Sequence, residues 1–279
     1  MKIVITAEST VDLTDELKEK FNIKTVPFTV LLGDETHKDG EIDTSLIFDY
    51  VKKNKILPKT SAVNEYQFTE FFGELKKEYD AIIHFSLSSE MSSAYSNAKK
   101  VAETMKNVYV VDSRTLSTGI ALLAIKASKL AREGKSPEEI VKTIEEFIPK
   151  THASFVIDRL DYLYKGGRCN ALQLLGANLL KLKPFINVEG GKMGVFKKYR
   201  GKWTETLKKY FDDLMEMHSG FDKDEVFITY TTAPQEIVDE LSERLKKEGF
   251  KNINVTRAGC TVTSHCGENT LGVLFISNK

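Results

Sequence analysis

The sequence predicts an α/β protein in two parts: a mostly parallel sheet with helices on both faces, followed by an α+β unit with a largely antiparallel sheet. Three observations predict this class. The 279 residues suffice for about two domains of ordinary size. In the first half, short β-branched or aromatic runs alternate with amphipathic stretches at the spacing of βαβ crossovers. In the second half the rhythm changes, and Glu189-Gly190-Gly191-Lys192 gives a hairpin signal.

The predicted elements of the first half alternate along the chain. Strand-like runs lie at 3–6, 25–32, 81–87 and 108–112. Amphipathic stretches predict helices around 14–21, 44–53, 66–79, 93–105 and 117–133. A further helix opens at Ser136-Pro137 and ends near Pro149, since proline does not continue a helix. We therefore place a domain boundary there, which gives an α/β domain at 1–150 and an α+β domain at 151–279.

The second half has the signals of a smaller, more antiparallel unit. Strand-like runs lie at 153–157, 184–188, 195–199, 226–230, 253–257 and 271–276, and helix-like patterns at 171–181 and 234–247. A polar stretch at 261–269 is predicted as a loop before the final strand. No internal repeat or low-complexity linker separates the halves, so we expect them to pack directly and to leave a ligand cleft at their junction.

Composition excludes several classes of function. The 40 basic residues balance the 40 acidic ones, which favours neither nucleic acid nor an anionic membrane surface, and no basic recognition helix is evident. The longest stretch without charge, 169–180, is shorter than the 18 or so residues of a membrane-spanning helix. The apolar run at 3–7 is too short for a signal peptide, so we expect a cytoplasmic protein. Three cysteines without C-x-x-C spacing suit a reducing compartment and no zinc site.

Two hydroxyl-rich segments are candidates for binding an anionic group. The turn Ser88-Ser89-Glu90-Met91-Ser92-Ser93 follows a predicted parallel strand and precedes a helix, so it offers free N–H groups and hydroxyl donors. Alternatively, Ser92 or Ser93 only caps that helix. The segment Lys59-Thr60-Ser61 offers a second hydroxyl pair, which turn chemistry alone would also explain.

Two further motifs have a basic side chain beside glycine. His265 could be a head-group donor, a general base or a hydrogen-bonded loop residue. If the chain is extended there, His265 and Cys266 point to opposite sides, which argues against a Cys–His catalytic pair. In Lys165-Gly166-Gly167-Arg168 the glycines permit tight geometry and place a guanidinium where it could meet a carboxylate or phosphate. Neither a P-loop nor G-x-G-x-x-G is present, so the sequence predicts no ATP, dinucleotide or other cofactor site of its own.

Taken in order, these segments resemble the DegV family, bacterial proteins that bind one long-chain fatty acid, some of which are the acyl-carrier subunit of fatty acid kinase. The resemblance covers nearly the whole chain. It rests on the segments Ile5-Thr6-Ala7-Glu8-Ser9-Thr10-Val11-Asp12-Leu13, Lys59-Thr60-Ser61, Leu87-Ser88-Ser89 with Met91-Ser92, Val110-Val111-Asp112-Ser113, Lys165-Gly166-Gly167-Arg168, Leu182-Lys183-Pro184, Tyr199-Arg200-Gly201 and Ser264-His265-Cys266-Gly267. The chain differs from the family pattern at Glu8, Ala62-Val63-Asn64, Glu90, Ser93 and Glu268-Asn269.

The resemblance implies a two-domain fold that encloses an acyl chain such as that of palmitate in a tunnel between the domains. By motif position, Thr60, Ser92 and His265 would hold the carboxylate. The other two candidate ligand contacts are Ser61 and Arg168. Arg200 matches a position linked with docking a kinase subunit, related to dihydroxyacetone kinases, that would supply ATP and magnesium.

Two classes of function follow from these residues. The first is a non-catalytic carrier in lipid transport or fatty acid metabolism, with the acid as its ligand and no metal. The alternative is an enzyme acting on an acyl or phosphorylated small molecule, with Ser92 as nucleophile and His265 as base. No G-x-S-x-G elbow is present and nothing identifies an orienting carboxylate, so the carrier is favoured. We expect a monomer that does not insert stably into membranes.

Overall fold

The computed structural model describes residues 1–169, 182–218 and 220–277. The strands in these ranges are β1 (Ile3–Glu8), β2 (Ile23–Val26), β3 (Thr29–Leu32), β4 (Glu35–Lys38), β5 (Lys59–Ser61), β6 (Ala81–Ser86), β7 (Val108–Asp112), β8 (Thr151–Ile157), β9 (Lys183–Glu189), β10 (Lys192–Tyr199), β11 (Phe221–Tyr230), β12 (Asn252–Arg257) and β13 (Thr270–Ser277). The helices are α1 (Asp15–Phe21), α2 (Thr44–Asn54), α3 (Glu65–Lys76), α4 (Ala94–Ala102), α5 (Thr118–Arg132), α6 (Pro137–Phe147), α7 (Leu160–Gly166), α8 (Trp203–Met217), α9 (Gln235–Lys247) and α10 (Cys260–Cys266).

The first sheet is parallel throughout and is covered on both faces. Its strand order is β2-β1-β6-β7. Ile83 of β6 packs in a core with α1, α5 and α6, whereas its neighbour Ile82 packs in a second core with α3 and α4. Because successive side chains of a strand point to opposite faces, burial on both sides requires apolar side chains on both faces, as Ile82 and Ile83 provide in β6. The predicted parallel, two-face-covered sheet is confirmed.

One predicted strand, 25–32, is wrong as a single element. The chain divides it at Pro27 and Phe28 into β2, which pairs in the parallel sheet, and β3, which joins β4 and β5 in a small antiparallel sheet. Pro27 has no N–H to continue the ladder. The N–H of Phe28 instead donates to Ser9 Oγ at 3.0 Å. The segment around Thr60, predicted as a loop, is therefore a short strand, β5, at the edge of this small antiparallel sheet.

The second large sheet has the order β10-β9-β8-β13-β11-β12 and is antiparallel except for the parallel pair β11 and β12. This confirms the predicted, largely antiparallel sheet and its hairpin. Helices α8 and α9 cover one face, and α5 packs between the other face and the first sheet. No element was predicted where α8 lies, although Leu207, Phe211 and Leu214 have helical spacing. The pattern at 171–181 lies outside the described residues, and the boundary at residue 150 stays a prediction.

The tip of the β9–β10 hairpin joins the two halves of the molecule. Arg114 donates to the carbonyl of Gly190, and Ser88 Oγ donates to that of Gly191 at 2.7 Å. Glu90 forms ion pairs with Arg114 and with Lys192, both at 3.4 Å. The turn is therefore held against the hydroxyl-rich loop that precedes α4. Within the described ranges, no helix is both long enough and apolar enough to cross a membrane.

Gly191→Ala is expected to destabilise the protein, because Gly191 has φ of +82° and a Cβ there would meet Ser88 Oγ at 2.6 Å and Arg114 Cζ at 2.9 Å. We expect a loss of about 1–3 kcal/mol in the free energy of unfolding, measured by chemical denaturation. Gly194→Ala is the matched control, since no atom lies within 4 Å of its added Cβ. Equal stability of the two variants would contradict a tight hairpin contact.

Candidate functional site

A cavity of about 310 Å³ lies between the carboxyl-end loops of the first sheet and the face of α10. This volume lies at the lower end of the range typical of small-molecule sites, roughly 300–1,000 Å³. Much of its wall is apolar, and the side chains include Phe28, Leu87, Met91, Leu116, Phe155 and Leu163. The predicted cleft between the two halves is thus a cavity with a mainly apolar interior.

The candidate side chains that line the cavity come from separate elements. Thr60 and Ser61 reach it from β5, Ser92 from the loop before α4, Arg168 from the segment after α7, and His265 from α10. Ser61 and Arg168 are exposed, so they belong to the rim. Thr60, Ser92 and His265 are half-buried.

Arg200 does not line the cavity. It is exposed, directly after β10, and thus separate from the five side chains that converge there. This placement is compatible with the surface role predicted for it, which stays a prediction.

The predicted loop at 261–269 is wrong over most of its length, because residues 260–266 form α10. Asp12 Oδ1 accepts from the Gly259 N–H and Asp39 Oδ1 from the Cys260 N–H, both at 2.8 Å. Carboxylates at a helix N-terminus satisfy its free N–H groups and its dipole. These acceptors lie 247 and 221 residues away in sequence, so no local capping signal could reveal the helix.

The His265 ring faces Thr60. His265 Nε2 and Thr60 Oγ1 lie 2.8 Å apart, and Nδ1 has no hydrogen-bond partner among the described residues. Burial, together with the nearby positive charge of Arg168, lowers the pKa of His265 to about 4. The imidazole is therefore neutral at pH 7 and offers one donor and one acceptor nitrogen.

The glycine pair at 166–167 has a structural reason. A Cβ on Gly166 would lie 2.7 Å from His265 Nδ1, so only glycine leaves room for the ring. Gly167 ends α7 with φ of +70°, a left-handed conformation that favours glycine. The chain then turns toward Arg168, whose Nη1 donates to the Gly166 carbonyl at 2.6 Å. This motif therefore shapes the space around His265.

Ser92 lies at the N-terminal end of α4. Its Oγ accepts from the Ala94 N–H at 3.1 Å, as the capping alternative predicted, while the hydroxyl also lines the cavity. The preceding loop is fixed by Glu8, which is fully buried. Glu8 accepts from Ser86 Oγ at 2.6 Å and from the Leu87 N–H at 2.9 Å. Glu8 thus positions the loop without entering the cavity.

This arrangement favours binding over nucleophilic catalysis. His265 Nε2 lies against the Thr60 hydroxyl, and in the described part of the chain no carboxylate bonds to Nδ1 to orient the ring. The extended conformation in which His265 and Cys266 would point to opposite sides does not occur, because both belong to α10, and both line the cavity. Burial nevertheless raises the pKa of Cys266 to about 12, which leaves an inert thiol.

Asp12→Asn is expected to change how stability depends on pH. The pKa of Asp12 is raised from 3.8 to about 7, chiefly by burial and also by nearby Asp39, against the lowering effect of hydrogen bonds from Ser117 and the Gly259 N–H. Because the folded-state pKa is the higher one, Asp12 favours folding most at low pH, and this contribution is lost as pH rises from about 4 to about 7. Relative to Asp12→Asn, the wild-type free energy of unfolding should fall by up to about 1.4 kcal/mol per pH unit in that window.

Denaturant titrations of both proteins across pH 4 to 8 measure this difference. The lowered pKa of His265 gives stability that is lost as pH falls from about 6.5 to about 4, but both proteins contain His265, so its effect cancels. A stability difference that does not vary with pH would contradict the raised pKa of Asp12.

Comparison with known proteins decides the family. A family model described as "Uncharacterised protein, DegV family" matches residues 2–278. The chain belongs to the DegV family. This DegV protein is 32% identical to a DegV domain-containing protein of Caldanaerobacter subterraneus over 98% of both chains. It is also 30% identical to Protein DegV of Bacillus subtilis over 99% of both chains.

Solved structures of DegV proteins have the same fold. A fatty-acid-binding DegV family protein of Thermus thermophilus matches with a TM-score of 0.91 at 25% identity, over 99% of this chain and 100% of that one. DegV of Bacillus subtilis, described as a fatty acid binding protein, matches with a TM-score of 0.87 at 28% identity over 100% of both chains. The fatty acid kinase B3 protein of Streptococcus pneumoniae, loaded with linoleic acid, shares the fold with a TM-score of 0.84 at 19% identity, over 100% of both chains.

Proposed function

We propose that this DegV protein binds a single long-chain fatty acid, with the acyl chain in the cavity and the carboxylate facing Thr60, Ser92 and His265. The observation that carries the proposal is the convergence of two hydroxyls and a neutral imidazole at one cavity whose wall is mainly apolar. Hydroxyl groups donate to a carboxylate, and a neutral His265 whose Nε2–H donates to Thr60 leaves the proton of that hydroxyl for the ligand, while the apolar wall suits a hydrocarbon chain. Ser61 and Arg168 at the rim would add a donor and a positive charge.

The energetics favour such a ligand. Burial of about fifteen methylene or methyl groups at about 0.8 kcal/mol each gives a gross gain near 12 kcal/mol. A carboxylate removed from water without partners would cancel much of this gain. Hydrogen bonds to a charged group contribute about 1.5–3 kcal/mol each, so the donors make burial of the head group feasible.

Relatives support the proposal. Solved DegV structures from Thermus thermophilus and Bacillus subtilis are described as fatty acid binding, and one from Thermotoga maritima, at 27% identity, is described as lipid binding. All three cover at least 99% of this chain.

Isothermal titration of delipidated protein with hexadecanoic (palmitic) acid tests the proposal. We expect one acid per chain and a negative heat-capacity change, the mark of apolar burial. Octanoic acid is the matched probe, since it has the same head group and buries far fewer methylenes, so it should bind much more weakly. Equal affinity for both acids would contradict burial of the chain.

A finer part of the proposal concerns what the bound acid is for. We propose that the protein is a carrier that presents the acid to an ATP-dependent kinase subunit of the dihydroxyacetone-kinase type, which docks at Arg200. This is supported by the family resemblance and by an exposed basic and aromatic surface on β10 and just after it, formed by Phe196, Lys197, Lys198 and Arg200. The Ser92–His265 enzyme remains the alternative function.

Arg200→Glu is expected to lower the rate of acyl phosphate formation with such a kinase subunit by tenfold or more, because it reverses a charge at the proposed interface. Binding of hexadecanoic acid, measured by titration, should not change, since Arg200 lies outside the cavity. Lys247→Glu is a charge-matched control, because Lys247 ends α9, which packs against β12 at the other edge of the sheet from β10. Equal rates for both variants would contradict docking at Arg200.

A further inference from the structure

Two buried hydroxyls of the cavity wall have no role in the proposed head-group site. Thr10 and Thr261 are 1% and 4% exposed, and both line the cavity. Neither Oγ1 has a hydrogen-bond partner among the described residues. Buried hydroxyls are normally bonded, so two orphans facing one cavity require an explanation.

The two hydroxyls lie on segments that meet. Thr10 belongs to the 3₁₀ turn Ser9–Val11, two residues before Asp12, and Thr261 comes two residues after Gly259. The Gly259 N–H donates to Asp12 at 2.8 Å, which joins the two segments. Both side chains therefore belong to one region of the wall, at the N-terminal end of α10.

Neighbouring hydroxyls of the same wall are satisfied. Ser117 donates to Asp12, Thr229 bonds with Thr118 at 2.6 Å, and Thr231 donates to the Gly267 carbonyl at 2.7 Å. Among the buried serine and threonine hydroxyls that the structure describes in this wall, only those of Thr10 and Thr261 lack a partner. An unsubstituted acyl chain passing them would leave both hydroxyls buried and unpaired, which costs binding free energy.

We propose that Thr10 and Thr261 form a second polar subsite, which binds a hydroxyl group on the acyl chain, so that the preferred ligand is a hydroxylated long-chain fatty acid. This inference rests on the proposed function. A ligand hydroxyl has one proton and two lone pairs, so it donates to one threonine and accepts from the other. Both orphan atoms are then satisfied by one group.

The helix sets where the hydroxyl lies along the chain. Thr261 and His265 are four residues apart on α10, so they share a face and are separated by about 6 Å along its axis. With the carboxylate at His265 and the chain running along α10, this separation corresponds to roughly four or five carbon–carbon bonds of about 1.5 Å. The subsite therefore binds a substituent near the carboxylate of the acid, well away from its terminal methyl group.

Competition binding with three probes tests the inference: hexadecanoic acid, the same acid with a hydroxyl on its fifth carbon, and the acid with a terminal hydroxyl. We expect the fifth-carbon hydroxy acid to bind about tenfold more tightly than hexadecanoic acid. The terminal hydroxy acid should bind more weakly than hexadecanoic acid, because its hydroxyl enters the apolar part of the cavity. Equal or weaker binding of the fifth-carbon hydroxy acid overturns the inference.

The double variant Thr10→Val and Thr261→Val locates the effect. It keeps the side-chain shape, and we expect it to lose the tenfold preference for the fifth-carbon hydroxy acid over hexadecanoic acid. Thr263→Val is the matched control on the same helix, since its hydroxyl is bonded to the Ala258 carbonyl at 3.2 Å and lies outside the cavity. A preference that survives in the double variant overturns the assignment.

The outcomes separate this inference from the proposed function. If hexadecanoic acid binds and the hydroxyl gives no advantage, the second subsite is wrong and fatty acid binding stands. If none of the three acids binds, the proposed function fails and the inference fails with it. The three probes are compared on the wild-type protein, so the second subsite can be tested even if a variant does not fold.

Discussion

The double variant Thr60→Val and Ser92→Ala is expected to bind hexadecanoic acid at least about a hundredfold more weakly than the wild type. Each hydroxyl is expected to donate to the carboxylate, and a hydrogen bond to a charged group contributes about 1.5–3 kcal/mol. Loss of two such bonds corresponds to roughly 3–6 kcal/mol, or a factor of a hundred to ten thousand. Thr60 also lies 2.8 Å from His265 Nε2, so its loss frees the ring to move.

Isothermal titration measures this loss. Ser96→Ala is the control, because Ser96 is an exposed serine on α4 whose hydroxyl donates to the Ser93 carbonyl at 2.8 Å and does not line the cavity. The control should bind the acid as the wild type does. Circular dichroism should find both variants folded, since Thr60 is at a sheet edge and Ser92 is in a loop. Wild-type affinity of the double variant would contradict binding of the carboxylate by Thr60 and Ser92.

Gly166→Ala is expected to weaken binding of the acid markedly while leaving the fold intact. An added Cβ would lie 2.7 Å from His265 Nδ1, which forces the ring out of its place opposite Thr60. The backbone of Gly166 is helical and has no left-handed φ, so alanine itself is tolerated there. The expected loss of affinity is about tenfold to a hundredfold, the value of a hydrogen bond to a charged group.

Gly73→Ala is the matched control for this substitution. Gly73 is also a helical glycine, in α3, and no atom lies within 4 Å of its added Cβ. Alanine there should raise stability by about 0.5–1 kcal/mol through helix propensity and leave binding unchanged. Thermal denaturation and titration together measure both effects. Tight binding by Gly166→Ala would show that the position of His265 does not matter.

Much of the architecture was predictable because the faces of an element that are buried determine where apolar residues occur in its sequence. Parallel strands covered on both faces are mostly apolar and do not alternate with polar residues, and β6 has apolar residues at four of its six positions. The hairpin was visible because Gly190 and Gly191 both adopt positive φ, which few other residues tolerate. The break at Pro27 was missed because the apolar run continues through it, although proline itself was the available signal.

The candidate site was less accessible to sequence reasoning. Thr60, Ser92 and His265 lie on three separate elements, and each segment alone has an ordinary explanation as a turn or cap. Only the family resemblance joined them before the fold was known. Helix α10 could not be predicted, because its capping carboxylates, Asp12 and Asp39, come from the other half of the chain.

The second polar subsite was beyond the sequence for a related reason. An unpaired hydroxyl is a property of packing, since a threonine in a sequence gives no sign of whether tertiary structure provides it with a partner. Thr10 and Thr261 are indistinguishable by pattern from Thr229 and Thr231, which are bonded. Once α10 is known, the four-residue spacing of Thr261 and His265 places both on the cavity face.

The central claim is that the cavity holds one long-chain acid, and native mass spectrometry of the protein as purified tests it most directly. We predict a single added mass of about 250–300 Da, released on denaturation and identified after extraction as a plain or hydroxylated acid of sixteen or eighteen carbons, retained by burial of its chain. A protein that is consistently empty, and that takes up no added hexadecanoic or hydroxyhexadecanoic acid after delipidation, would contradict the claim.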